Sequence, residues 1–136
     1  MILVDTSVWI AYLNGLDTPA AEALHELLAA DATVALPTPV VGELLQGTRS
    51  EAEADRLASY LATQVVVGPA HDVGAWALAA RLYRACRRSG RTVRSTLDGY
   101  VAAIAIQRGA PLLHDDRDFD AIAAVDARLR IWPTPT

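Results

Sequence analysis

Hydrophobic residues along this chain fall into two alternating patterns. Ile2-Leu3-Val4, Thr33 to Leu36, Val65 to Val67 and Pro111 to Leu113 are short compact apolar runs closed by polar, glycine or proline residues. Such runs predict buried strands. Leu129 to Trp132 predicts a short fifth. Between the runs, apolar residues recur at spacings of three and four, the helical period. Thr6 to Leu13 carries Val8, Trp9, Tyr12 and Leu13 on one stripe and stops at Asn14-Gly15. Thr18-Pro19 opens a second helix with Ala21, Leu24, Leu27 and Leu28 inward. Pro37 to Pro39 is expected to break the second strand, and a helix carrying Glu43 then runs to about Gly47. Ser50 with Glu53 has capping-box spacing for another helix. His71 to Ser89 is the longest helix, stopped by Gly90. Ser95 to Gln107 is almost wholly apolar after its first turn, which predicts a buried helix. Strands alternating with helices predict an α/β fold: one domain over residues 1–136, with a mostly parallel central sheet of four to five strands and helices on both faces.

Composition sets bounds on this picture. The 136 residues are 52% hydrophobic and 21% charged, a globular balance. No apolar run approaches the roughly 20 residues that span a bilayer, and no signal peptide is visible, so a cytoplasmic protein without membrane contact is expected. The single cysteine, Cys86, excludes an intramolecular disulfide and suits a reducing compartment. A net charge of −4 argues against a protein that coats duplex nucleic acid. All 12 basic residues are arginine, and Arg81, Arg84, Arg87, Arg88, Arg91 and Arg94 crowd one short segment.

Four acids are placed to meet at one sheet edge: Asp5 after the first strand, Glu43 within an apolar helix, Asp98 at the start of the buried helix, and Asp116 after the fourth strand. Each has an ordinary explanation alone. Asp5 suits an N-cap, Glu43 a solvated stripe with Gln46, Asp98 a capping box with Ser95, and the crowded Asp115, Asp116, Asp118 and Asp120 a solvated turn. Together they lie after strands or in first helical turns, where open α/β sheets bind ligands. Gathered carboxylates repel one another and resist desolvation, and a divalent cation reverses that penalty. Hard oxygen donors select Mg²⁺ or Mn²⁺. Thr6 and Ser7 are placed to hold Asp5 by hydrogen bonds, or to cap the same helix. His25, His71 and His114 lack ligand spacing. Phosphate-binding glycine loops and a G-x-S-x-G elbow are absent. A phosphoaspartate receiver would need a lysine, and an aspartate-nucleophile phosphatase an Asp-x-Asp pair, where this chain has Asp5-Thr6-Ser7.

Val4-Asp5-Thr6-Ser7, Pro39-x-x-Gly42-Glu43-Leu44-x-x-Gly47, Ser95-Thr96-Leu97-Asp98 with Ala102-x-x-Ala105, and Leu113-His114-x-Asp116-x-Asp118-Phe119 occur in that order. In these motifs the chain resembles the PIN-domain family, and within it the VapC-type toxins of toxin–antitoxin pairs. The resemblance implies a Mg²⁺- or Mn²⁺-dependent endoribonuclease whose catalytic acids are Asp5, Glu43, Asp98 and Asp116. Asp5, Asp98 and Asp116 would be metal ligands, with Asp118 an additional or substitute one. Arg81, Arg84, Arg88 and Arg91, at spacings of three and four, would share a helix face able to hold RNA phosphates, or one that is merely solvated; Arg94 stands closer to Asp98. The resemblance further implies an RNA substrate, a homodimer, and a VapB-type antitoxin whose tail would occupy an apolar groove and send a basic residue into the acidic pocket. Trp9, Tyr12 and Leu13 are placed to line that groove or to pack in the core. The alternatives are a PIN nuclease of RNA processing outside a toxin pair, and a PIN scaffold that binds RNA or protein without cutting. Retention of all four acids favours a catalyst.

Overall fold

The computed structural model describes residues 1–133. In chain order its elements are β1 (Ile2–Val4), α1 (Thr6–Leu13), α2 (Pro19–Ala29), β2 (Val34–Pro37), α3 (Thr38–Gln46), α4 (Glu51–Leu61), β3 (Val65–Val67), α5 (Asp72–Arg88), α6 (Thr96–Arg108), β4 (Leu112–Leu113) and α7 (Arg117–Val125). The caps are those the sequence offers. Thr18 Oγ1 accepts from the Ala21 N–H at 3.1 Å, with Pro19 behind it. Ser50 Oγ accepts from the Glu53 N–H at 3.1 Å. Gly90 and Gly109 take the left-handed conformation (φ 77° and 62°) just beyond α5 and α6, where a side chain would be strained. Pro37 to Pro39 ends the second strand, as expected. β2 runs through Pro37 and α3 begins at Thr38, because a proline in the first helical turn gives up only an N–H that has no helical partner.

All strand pairings are parallel and the order is β3-β2-β1-β4. The chain steps outward from β1 to β3, then returns to the other side of β1 for β4. This reversal makes the carboxyl ends of β1 and β4 a topological switch point, where ligand crevices form. The expected fifth strand at Leu129 to Trp132 reduces to one parallel bridge, Ile131 to Leu112.

Residue alternation splits the sheet between two apolar layers. Leu3, Ala35 and Leu112 face α5, α6 and α7, with Ile104, Phe119 and Ile122 at the centre of that layer. Val4, Leu36 and Leu113 face α1 to α4, with Trp9, Leu24 and Val40. Helix α6 is buried from Gly99 to Ala105, as its apolar sequence predicts. Among the described residues no helix is long and apolar enough to cross a membrane.

Helices α5 and α6 cross closely at Gly99. A Cβ built there would lie 3.3 Å from both the Cβ and the backbone oxygen of Ala79. Because the obstruction includes a helix backbone, Gly99→Val is expected to destabilise the protein by about 1–3 kcal/mol. A thermal melt of the variant checks this.

Candidate metal centre

Each acid reaches the switch point on a different element. Asp5 ends β1 and caps α1. Its Oδ2 accepts from the Ser7 N–H at 3.1 Å and the Ser7 hydroxyl at 2.8 Å. Ser7 Oγ in turn accepts from the Asp115 N–H at 3.0 Å, which ties the β1 turn to the β4 turn. Asp5 is only 5% exposed. Glu43 projects from α3, where its Oε1 accepts from Thr6 Oγ1 at 2.9 Å. Thr6 and Ser7 therefore divide the work: Ser7 fixes Asp5 and Thr6 fixes Glu43.

Asp98 stands in the first turn of α6. The capping role falls to Ser95 alone, whose Oγ accepts from the Leu97 N–H at 3.1 Å, and no hydrogen bond to Asp98 is found among the described residues. Asp116 caps α7, its Oδ1 accepting from the Asp118 N–H at 2.9 Å. Asp118 is 4% exposed, and its Oδ2 accepts from the backbone N–H of Arg94 at 3.2 Å and from Nε at 3.3 Å. Arg94 Nη2 also lies 3.4 Å from Asp116 Oδ1. Carboxylate oxygens of Asp98, Asp116 and Asp118 all fall within 4.8 Å of one another. Together with Glu43, Arg94 and Ser95 they line a pocket of about 300 Å³. The sequence left Asp116 and Asp118 as alternatives, and the fold brings both to this pocket.

The overall likeness extends well beyond these residues. Residues 2–125 match the PIN domain family. The chain belongs to the PIN domain family. It is 40% identical over 129 residues to the VapC ribonuclease Mb1587 of Mycobacterium bovis, covering 92% of this chain and 93% of that protein. Ribonuclease VapC5 of Mycobacterium tuberculosis is 34% identical over 124 residues, 88% of this chain and 86% of that protein. Among solved structures, VapBC2 from Rickettsia felis, bound to a DNA fragment from its promoter, superposes with a TM-score of 0.72 at 18% identity, covering 96% of this chain and 97% of that one. VapBC-5 from Mycobacterium tuberculosis gives a TM-score of 0.64 at 25% identity, covering 95% and 94%.

Electrostatics in this PIN domain follow from the crowding. Burial, then the charges of Asp5, Asp116, Asp118 and Glu43, push the Asp98 carboxyl up to about 7. Burial raises Asp5, against the hydrogen bonds from Ser7, and raises Glu43, against the bond from Thr6. The donor set fits a hard cation. Hydrogen bonds gather on one oxygen each of Asp5, Glu43, Asp116 and Asp118, and among the described residues the second oxygen of each, and both of Asp98, accept none.

Two features escaped the sequence. His114 Nδ1 accepts from the Asp116 N–H at 3.0 Å, so this histidine braces the acidic turn. Its Nε2 lies 3.2 Å from Asp120 Oδ1, within ion-pair range but outside hydrogen-bond alignment. Its neighbours in sequence were the only available signal. The expected arginine row also splits. Ser89 and Gly90 end α5 before Arg91, so Arg91 leaves the face of Arg81, Arg84 and Arg88. Arg84 and Arg87 instead flank an apolar cavity with Trp76 and Tyr83, and Arg91 joins Arg94 beside α7.

The raised Asp98 carboxyl gives a pH signature. The folded chain holds this proton more tightly than the unfolded one, for which the ordinary value is 3.8. Its contribution to stability is complete below that value and is lost as pH rises through about 7. With EDTA present, the melting temperature of wild type is expected to fall between pH 5 and pH 8 by more than that of Asp98→Asn, as read by differential scanning fluorimetry at each pH. Adding Mg²⁺ or Mn²⁺ at pH 8 is expected to restore wild type and not the variant.

Proposed function

We propose that this PIN domain is a Mg²⁺- or Mn²⁺-dependent endoribonuclease and the toxin of a VapBC-type pair. The observation that carries the reading is the convergence of Asp5, Glu43, Asp98, Asp116 and Asp118 on the switch point, in a chain 40% identical to a VapC ribonuclease. Asp98, Asp116 and Asp118, with Asp5, would hold the cation, which when bound supplies the Lewis acidity and activated water of phosphodiester hydrolysis. The chain's own residues do the positioning. Ser7 clamps one oxygen of Asp5 and aims the other, and Thr6 does the same for Glu43. The buried β1 and α6 backbones keep Asp5 and Asp98 from relaxing apart. No lysine exists to serve as base, and His114 is committed to the turn.

The antitoxin partner is expected on a groove of about 290 Å³ between α1, α3 and α4, lined by Ile10, Leu13, Leu44, Leu57 and, at its acidic end, Glu43. Ile10 is 45% exposed and Leu13 39%, an apolar surface that an amphipathic segment can cover. Trp9 is wholly buried in the core and unavailable to this groove, while Tyr12 packs edge-on against it at 6.0 Å. A homodimer has an apolar surface to use on α5, where Val73, Trp76 and Tyr83 are exposed.

Cleavage of RNA is expected with Mg²⁺ or Mn²⁺ and not with EDTA. Asp5→Asn and Asp98→Asn should abolish it, and Ser7→Ala should reduce it about 10- to 100-fold, the usual loss when a ligand's supporting hydrogen bond is removed. Activity surviving chelation, or in Asp98→Asn, would sink the metal mechanism. For the toxin role, Ile10→Asp and Leu13→Asp are expected to leave cleavage intact while the co-expressed product of the neighbouring small gene no longer relieves growth arrest. Full relief in both variants would remove this groove as the antitoxin site.

A further inference from the structure

The acidic pocket does not end at its arginine. Arg94 and Asp118 also line a second, open groove of about 590 Å³, whose other walls include Arg91, Thr92, Arg117 and Ala121. Its three arginines outnumber its two carboxylates. Asp118 Oδ2 accepts from the backbone N–H and Nε of Arg94, while Asp120 is exposed, its Oδ1 3.2 Å from His114 Nε2 without hydrogen-bond alignment. Its two other guanidiniums are free: Arg91 and Arg117 are exposed and their side chains make no hydrogen bond or ion pair among the described residues.

Folding does not ask for either charge at these places. Arg117 is the first residue of α7, the positive end of the helix dipole, where a cation is unfavourable and an anion welcome. Arg91 follows the left-handed Gly90, and its N–H closes α5 on the Cys86 carbonyl at 2.9 Å. Its backbone is thereby fixed while its side chain stays in solvent. Two unpaired guanidiniums on the walls of one groove can each offer the forked donors that phosphate oxygens accept.

We propose that this groove is a phosphate-binding track: Arg91 and Arg117 grip backbone phosphates of a single RNA strand beside the phosphodiester that sits at the acids. The proposal rests on the nuclease reading for the identity of the strand. Arg94, shared by both pockets, is the point where the track enters the acidic centre. The helix-face arginines, Arg81 and Arg88, lie outside it.

The test uses the full chain in EDTA with a short fluorescein-labelled single-stranded RNA, followed by anisotropy across a NaCl series. Arg91→Ala and Arg117→Ala are each expected to weaken binding roughly threefold to tenfold and to lower the slope of log K against log [NaCl] by about 0.7, the value for one phosphate contact on a single strand. Arg117→Lys should keep the slope, since it keeps the charge, and Arg88→Ala should change neither quantity. Unchanged affinity and slope in both alanine variants, an equal loss in Arg88→Ala, or no binding by wild type would each overturn the track. The nuclease reading fails separately. RNA bound with these slopes yet left uncut in Mg²⁺ and Mn²⁺ keeps the track and removes the nuclease. Wild-type cleavage whose KM is unmoved by Arg91→Ala and Arg117→Ala keeps the nuclease and removes the track.

Discussion

Everything distinctive about this molecule depends on holding like charges together out of bulk water. Asp5, Glu43, Asp98, Asp116 and Asp118 come from the end of β1, from α3, from the first turn of α6, and from the N-cap and first turn of α7. Their burial, and after it their mutual repulsion, push the Asp98 carboxyl to about 7 and raise Asp5 and Glu43. A soft scaffold would relax by letting the acids drift apart. This one resists, because the elements that carry them are pinned from both sides. Asp5 sits between two apolar layers at the carboxyl end of a strand that pairs with both β2 and β4, and α6 is buried along most of its length and locked to α5 at Gly99.

Small polar side chains then refine what the scaffold imposes. Thr6 and Ser7 follow Asp5 in sequence yet serve different acids, and Ser7 also joins the β1 turn to the β4 turn through the Asp115 N–H. Arg94 offsets part of the charge from within, by gripping Asp118 with backbone and side chain and reaching Asp116. The same residues connect the centre to its surroundings. Glu43 is also the acidic end of the apolar groove between α1, α3 and α4, and Arg94 with Asp118 also borders the arginine-lined groove beside α7. One centre thus faces an apolar surface on one flank and a basic one on the other, the two chemistries that a protein inhibitor and a nucleic-acid strand require.

Much of this was legible in the sequence wherever the signal was local. The short apolar runs and the helical stripes marked every strand and helix up to β4, since burial dictates residue type at fixed spacing. Caps such as Thr18, Ser50 and Ser95, and the glycines at 90 and 109, marked helix ends because their geometry needs particular side chains or none. One local inference went astray: Leu129 to Trp132 read as a strand but reduces to a single bridge.

The sequence by itself determined the α/β class, the position of Asp5, Asp98 and Asp116 at strand ends or helix starts and of Glu43 inside a helix, and the family these motifs mark. Only the tertiary structure decided which acids meet. Strand order sets β4 beside β1, and that adjacency brings both Asp116 and Asp118 to Asp98, a question no spacing along the chain could answer. It also decided that Arg91 leaves the α5 face for the α7 groove, that Arg94 pairs with the acids, and that Trp9 is core while Ile10 and Leu13 are surface. The reason is physical: a carboxylate's partners are set by distance through space, whereas periodicity in sequence reports only which side of its own element a residue occupies.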